Sequence, residues 1–200
     1  MNQKQIILLG GGGHCKSVID VAESVGYTIL GILDKPELVG TRILDYEIIG
    51  VDDDIPQYVD KAAFVITVGQ IKSPAIRQKL DGLVKQAGGK LATIVASDAY
   101  VSKYATISEG TVVMHKAFVN AGAKIGRNCI INTMANIEHD CEIGDFCHIS
   151  TGVMVNGDCK VPVGTFIGSQ SVVNNDVDMR TACAGGGVFA SLSRIHKEKK

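Results

Sequence analysis

The chain has 200 residues, is 46% hydrophobic and carries a formal net charge of −1 at pH 7. With no basic cluster before its last few residues, it lacks the electrostatic footprint of a nucleic-acid binder, and no apolar run is long enough to span a bilayer. The opening stretch, Met1 to Leu9, is too short for a secretory signal, which points to the cytoplasm.

Residues 4–9 (KQIILL) read as a buried strand that runs into Gly10, Gly11, Gly12, Gly13 and His14. A helix follows, with Val18, Ile19, Ala22 and Val25 on its apolar face and Gly26 where a left-handed C-terminal cap belongs. Residues 27–33 form a second strand ending at Asp34, and residues 63–68 a third ending at Gly69. Ser73 and Pro74 supply the N-cap and first-turn proline of a second helix, which runs to about Gln86 and is closed by Gly88 and Gly89.

Residues 1–89 are thereby predicted to be a small Rossmann-like α/β unit with a parallel sheet and a glycine-rich turn between its first strand and helix. Such a turn can cradle a phosphate: glycine lets the backbone approach closely, and the free N–H groups of a helix N-terminus complement negative charge. A dinucleotide fingerprint needs a glycine at position 15, where this chain has Cys15, so dehydrogenase chemistry is disfavoured even though Asp34 stands roughly where a ribose-binding acid would. A structural turn without a ligand is the plainer alternative.

From Val95 to Val173 every sixth residue is valine or isoleucine, fourteen in succession. A period of six fits neither a helix nor a long alternating strand. Short strands separated by corners do satisfy it, three of them closing one triangular coil of a parallel β-helix. The β-branched residue faces inward, and the small or modest residue four positions later fills the corner. Residues 90–200 are predicted to form this β-helix, with the register faltering at Met179 and ending at Gly185, Gly186 and Gly187. The chain has six cysteines. Four of them, Cys129, Cys141, Cys147 and Cys159, take the small position, and 18-residue spacings stack Cys129 with Cys147 and Cys141 with Cys159. They read as reduced packing residues of a cytosolic protein, without the CxxC spacing of a zinc site.

The GGGH turn, Asp34 after the second strand, ITVG at 66–69 and the repeat segment IEHDCEIGDFCHIS together resemble the sialic-acid O-acetyltransferase-like and nucleotide-aminosugar N-acetyltransferase family of bacterial glycan synthesis. This resemblance covers nearly the whole chain and implies a left-handed β-helix that forms a homotrimer. It further implies acetyl-CoA in the cleft between neighbouring β-helices and a nucleotide sugar on the N-terminal unit, with no metal. Gly12, Gly13 and His14 would line the diphosphate and sugar, Asp34 would meet the base with Lys35 beside it, and Gly69 would close the pocket.

An amine or hydroxyl attacking a thioester must lose a proton, which requires a base titrating near neutrality. His139 is the candidate. The resemblance makes it the general base, with Asp140 orienting the imidazole and Glu138 as the rival orienter. Gly157 lies 18 residues on, one full coil, so it should stack against His139. Its N–H could donate to the thioester oxygen, the role the resemblance gives the matching glycine. The resemblance also places His148 at the acetyl-CoA end and counts Ser169 and Gly186 among the coenzyme contacts. A packing or solvent role is the plain alternative for both histidines. His115, His139 and His148 are 24 and 9 residues apart, neither a multiple of the coil, so a shared zinc of the kind found in hexapeptide carbonic anhydrases is not expected. His196 belongs to the charged tail.

The expected function is acetyl-CoA-dependent N-acetylation of a nucleotide-activated 4-amino-dideoxy sugar. Direct attack on the thioester is expected because no cysteine or serine sits in a nucleophile motif. Acetylation of a sialic-acid hydroxyl keeps the fold and changes the acceptor. A non-catalytic trimeric scaffold or binding protein is the alternative of another class.

Overall fold

The computed structural model describes residues 4–175 and two short strands at Val188–Phe189 and Arg194–Ile195. The chain divides into two compact units, Met1–Gly69 with Ala75–Ser97, and Gln70–Pro74 with Asp98–Lys200.

In the first unit, strand β1 (Lys4–Leu9) is fully buried from Ile6 to Leu9, as a continuous apolar run requires in a sheet covered on both faces. Helix α1 (Gly13–Ser24) follows and is closed by Gly26, whose φ of 76° lets its N–H donate to the Glu23 carbonyl at 3.0 Å. Its core face is wider than the Val18, Ile19 and Ala22 stripe and takes in Cys15 and Val21, while Val25 is the cap residue. Strand β2 (Tyr27–Leu33) then pairs in parallel with β1.

The next two strands have no counterpart in the sequence reading. β3 (Arg42–Ile43) and β4 (Tyr46–Gly50) form an antiparallel hairpin, and β4 joins β2 in parallel. The hairpin turn is made by Leu44 at φ 51°, a conformation that Asn-Gly or Asp-Gly normally announces. Here the Arg42 guanidinium donates to the Asp45 carbonyl across it. Strand β5 (Ala63–Ile66) pairs with the other side of β1, giving the order β3-β4-β2-β1-β5, and helix α2 (Ala75–Gln86) packs Leu80 and Val84 onto Ile7, Leu9, Phe64 and Ile66. The Phe64 N–H donates to the Lys90 carbonyl and the Ala92 N–H to the Phe64 carbonyl, both at 2.8 Å. Residues 90–97 thus group with this unit, whereas the expected boundary stood at 89/90.

The second unit is a parallel β-helix. Two-residue strands from Tyr100–Val101 to Val172–Val173 pair in register with the strand 18 residues later, as in Val119↔Ile137↔Val155 and Ile125↔Ile143↔Val161, and form three sheets. The inward residues from Val113 to Val173 are at most 3% exposed. At the corners, the residue three after each inward one adopts left-handed backbone, from Gly110 to Gln170, with φ between 52° and 76°. The turn is therefore made one position before the small residue, which fills the inside of the corner. That residue also satisfies a backbone group. The Thr111 hydroxyl donates to the Gly126 carbonyl at 2.7 Å, and the thiols of Cys129, Cys141, Cys147 and Cys159 donate to the carbonyls of Gly144, Asn156, Pro162 and Asn174 at 2.8–3.2 Å. Hydrogen bonding to Cys159 and Cys129, and then burial, push the Cys141 and Cys147 thiols up, so both stay protonated. The described cysteines are all free and buried.

Because Thr111 already makes the same bond, Cys141→Thr should fold with a melting temperature within a few degrees of the parent. Ile143→Asp should abolish the cooperative melt, since an unpaired buried carboxylate costs roughly 3–5 kcal/mol. A stable Ile143→Asp protein, by circular dichroism and thermal melting, contradicts the register.

Candidate active site

In the first unit, β1 and β5 are neighbours although β2, β3 and β4 lie between them in the chain, so the strand order reverses at this point. Ligands of open parallel sheets bind in the crevice at the carboxyl ends beside such a reversal. The loop after β1 begins at Gly10, whose φ is 102° and whose N–H donates to the Leu33 carbonyl at 2.8 Å. Gly12 is the N-cap of α1, and a Cβ at Gly12 or Gly13 would meet nothing within 4 Å. The helix start is therefore open to an anion. The loop after β5 is tied to it by buried Thr67, whose N–H and hydroxyl both reach the Leu9 carbonyl at 2.9 Å, the hydroxyl also lying 2.6 Å from the Gly10 carbonyl. Further along this loop, a Cβ on Gly69 would stand 3.7 Å from the Cβ of His14, so these two expected pocket residues are brought together.

Asp34 shapes the turn. One carboxylate oxygen accepts from the Gly11 N–H and the other from the Lys35 N–H at 2.7 Å, while the Lys35 side chain is exposed. Cys15 packs beneath with its thiol pushed up to about 11, chiefly by burial. Sequence reasoning missed Arg77, which is 1% exposed and donates from Nη1 to the carbonyls of Ile66 at 2.9 Å and Val68 at 2.6 Å, holding the loop after β5. Its spacing of three and seven from Leu80 and Val84 was the available signal.

In the second unit, His139 is exposed and its Nδ1 lies 2.9 Å from the Asp140 carboxylate. Nδ1 thus carries the proton and Nε2 the lone pair. Asp140 acts from a left-handed corner, φ 60°. It raises the pKa of His139, first through this hydrogen bond, with smaller electrostatic contributions from Asp140, Glu138 and Asp158. Glu138 is not the orienter: its two oxygens accept from Asn120 Nδ2 at 2.6 Å and Asn136 Nδ2 at 3.0 Å, which hold it below the usual carboxylate range. Gly157 stacks on the imidazole so closely that a Cβ there would lie 2.6 Å from His139 Nε2. Among the described residues the Gly157 N–H has no hydrogen-bond partner, whereas the next N–H, of Asp158, donates to the His139 carbonyl at 3.0 Å.

His148 lies elsewhere on the coil and is buried. Its Nδ1–H donates to the Gln70 carbonyl at 2.6 Å, Nε2 accepts from Asn132 Nδ2 at 3.0 Å, and the ring meets Phe166 edge-on. Gln70 is fixed in turn by Nε2 donating to the carbonyls of Phe146 and Gly164 at 2.8 and 3.2 Å. Ser169 is exposed with its hydroxyl 3.0 Å from that of Ser150. His115 pairs with Asp98 at 2.6 Å, so the three histidines have three separate partners. Gly186 and His196 lie outside the described residues. Among the described residues no group of three or more His, Cys, Asp and Glu side chains could hold a metal, and no helix is long and apolar enough to cross a membrane.

Residues 5–80 match the PglD N-terminal domain, and residues 122–157 match the bacterial transferase hexapeptide with six repeats. The first unit is thus similar to the PglD N-terminal domain and the second to the bacterial transferase hexapeptide repeats, coiled as a left-handed parallel β-helix. Among solved structures it is similar to the acetyltransferase domain of PglB from Neisseria gonorrhoeae FA1090 in complex with acetyl coenzyme A. The identity is 28% over 88% of this chain and 84% of that one, with a TM-score of 0.81. It is similar also to perosamine N-acetyltransferase from Caulobacter crescentus, in a mutant with one histidine replaced by asparagine and bound to CoA and GDP-perosamine. There the identity is 27% over 86% of this chain and 90% of that one, with a TM-score of 0.74. WeeI from Acinetobacter baumannii AYE shares the fold at 18% identity, 94% coverage of each chain and a TM-score of 0.63. No curated protein sequence gives a significant match.

The raised pKa of His139 is testable without substrate. Its imidazole, followed by NMR, should titrate above the ordinary 6.5, and Asp140→Asn should move the midpoint down. An unchanged midpoint contradicts the role given to Asp140.

Proposed function

We propose that the protein is an acetyl-CoA-dependent N-acetyltransferase whose acceptor is a nucleotide-activated 4-amino-dideoxy sugar of bacterial glycan synthesis. The observation that carries this reading is the juxtaposition of an exposed imidazole, its Nε2 lone pair free, with the unpartnered N–H of Gly157 one coil away. A base and a donor so placed are what acyl transfer to an amine requires. As the amine attacks the thioester carbon, Nε2 takes the proton from nitrogen, the Gly157 N–H donates to the oxygen that gains charge, and the carbon–sulfur bond then breaks. The imidazolium returns its proton to the departing thiolate. The described cysteines are buried, and the Cys15, Cys141 and Cys147 thiols are pushed up, which speaks against an acyl-enzyme on sulfur.

Similarity to a domain bound to acetyl coenzyme A and to an enzyme bound to CoA and GDP-perosamine supports the choice of donor and acceptor class. The open glycine turn at Gly12 and Gly13, with His14 and Gly69 beside it, suits the diphosphate of such an acceptor. Asp34 positions this turn and Lys35 flanks it. For coenzyme A, His148 lies on the strand His148–Ile149 and Ser169 in the turn after Phe166–Ile167, and we assign them to the coenzyme side of the site.

We place the enzyme in the cytoplasm, where reduced thiols persist, and read it as a homotrimer. One outward coil face carries Tyr100 at 55% exposure, Phe118 stacked on it at 4.9 Å and, past Asn136, Met154 at 42% exposure, a mostly apolar column suited to a second copy of the chain.

Turnover is measured by thiol release from acetyl-CoA with a panel of nucleotide-linked 4-amino sugars. His139→Ala should lower kcat about 100- to 10,000-fold with little change in either substrate's affinity, and its residual rate should climb with pH. Near-normal turnover in His139→Ala removes this residue as the base. No thiol release by the wild type with any member of the panel favours a scaffold.

A further inference from the structure

Asp140 and Asp158 occupy the same corner position in successive coils, 18 residues apart, with φ of 60° and 55°. Coil stacking holds their backbones about 4.8 Å from one another. Their carboxylates are used differently. Asp140 accepts from His139 Nδ1, and Glu138 is occupied by two carboxamides. The Asp158 carboxylate is exposed and makes no hydrogen bond or ion pair among the described residues, although its backbone is fastened to His139 through the N–H to carbonyl bond of 3.0 Å. It is close enough to add to the field that raises the pKa of His139. Asp158 also follows Gly157 directly, the glycine whose would-be Cβ lies 2.6 Å from His139 Nε2, so its backbone borders the face of the imidazole that carries the lone pair.

We propose that Asp158 is the residue that selects an amine acceptor, by binding its ammonium form next to His139. This rests on the acetyl-transfer reading above. A sugar amine is largely protonated near neutrality, whereas a hydroxyl carries no charge for a carboxylate to recognise. The proton balance is complete: the bound ammonium releases one proton to water, the neutral amine then attacks, and His139 carries the second proton from nitrogen to the thiolate. The net products are the amide, the free thiol and one proton. Asp158 neither forms nor breaks a covalent bond.

The test compares wild type, Asp158→Asn and Asp158→Glu with a nucleotide-linked 4-amino-4,6-dideoxy sugar as substrate and its 4-hydroxy counterpart as competitive inhibitor. Asp158→Asn should raise KM for the amino sugar about 10-fold, the loss expected for a hydrogen bond to a charged group. kcat should hold within about 2-fold and the inhibition constant of the hydroxy analogue should not move, because uniform binding of the ammonium is what has been removed. Asp158→Glu should recover much of the lost affinity. An unchanged KM, or a parallel rise for amino and hydroxy sugars, overturns the role of Asp158 while leaving acetyl transfer in place. Absence of wild-type turnover overturns the underlying reading itself.

Discussion

The constraint on which the second unit depends is the stacking of coils at an 18-residue repeat. Each backbone N–H and carbonyl of a two-residue strand finds its partner in the coil above or below, and each inward valine or isoleucine packs on its equivalents. Because the rise per coil is fixed by strand spacing, about 4.8 Å, chemistry placed at one corner is repeated or opposed at a known height. Gly157 against His139 is the consequence that matters. A glycine is needed there because a Cβ would stand 2.6 Å from Nε2, so only a residue without a side chain lets the imidazole lie against this backbone.

Periodicity made most of this legible. The inward register, the stacked cysteines and the position of Gly157 follow from counting in sixes and eighteens, since the repeat is a property of the backbone that every side chain must respect. What counting did not reveal is local. Left-handed corners are occupied by residues as unlike as Lys116, Met134, Phe146 and Asp158, so composition does not mark the turn. The β3–β4 hairpin escaped for the same reason, with Leu44 where a turn glycine or asparagine would have signalled it. The division of labour between Asp140 and Glu138 is also invisible in sequence, because it is decided by Asn120 and Asn136, which claim both oxygens of Glu138 and leave His139 to Asp140.

The two units reach function by different physics. In the α/β unit the glycine-rich turn is shaped by groups that are themselves satisfied: Asp34 takes up the Gly11 and Lys35 N–H groups, Thr67 bridges the loops, and the guanidinium of Arg77 anchors the carbonyls of Ile66 and Val68. Its open positions, Gly12 and Gly13, are what remains for a ligand. In the β-helix the His139 imidazole is held by a single carboxylate, and its basicity is raised by the Asp140 hydrogen bond and negative charge and not by burial. His148 shows the opposite case. Burial and hydrogen bonds fix its tautomer, Nδ1–H toward Gln70 and Nε2 toward Asn132, so it is a rigid, buried element of the coil and not a base in waiting.

The most direct test of the account is a crystal structure of the protein with coenzyme A and a nucleotide-linked 4-amino sugar. The account predicts the sugar amine within about 3.2 Å of His139 Nε2, the reach of a general base, with the thiol end of the coenzyme beside the Gly157 N–H. An amine bound more than about 6 Å from Nε2, beyond even a bridging water, contradicts it.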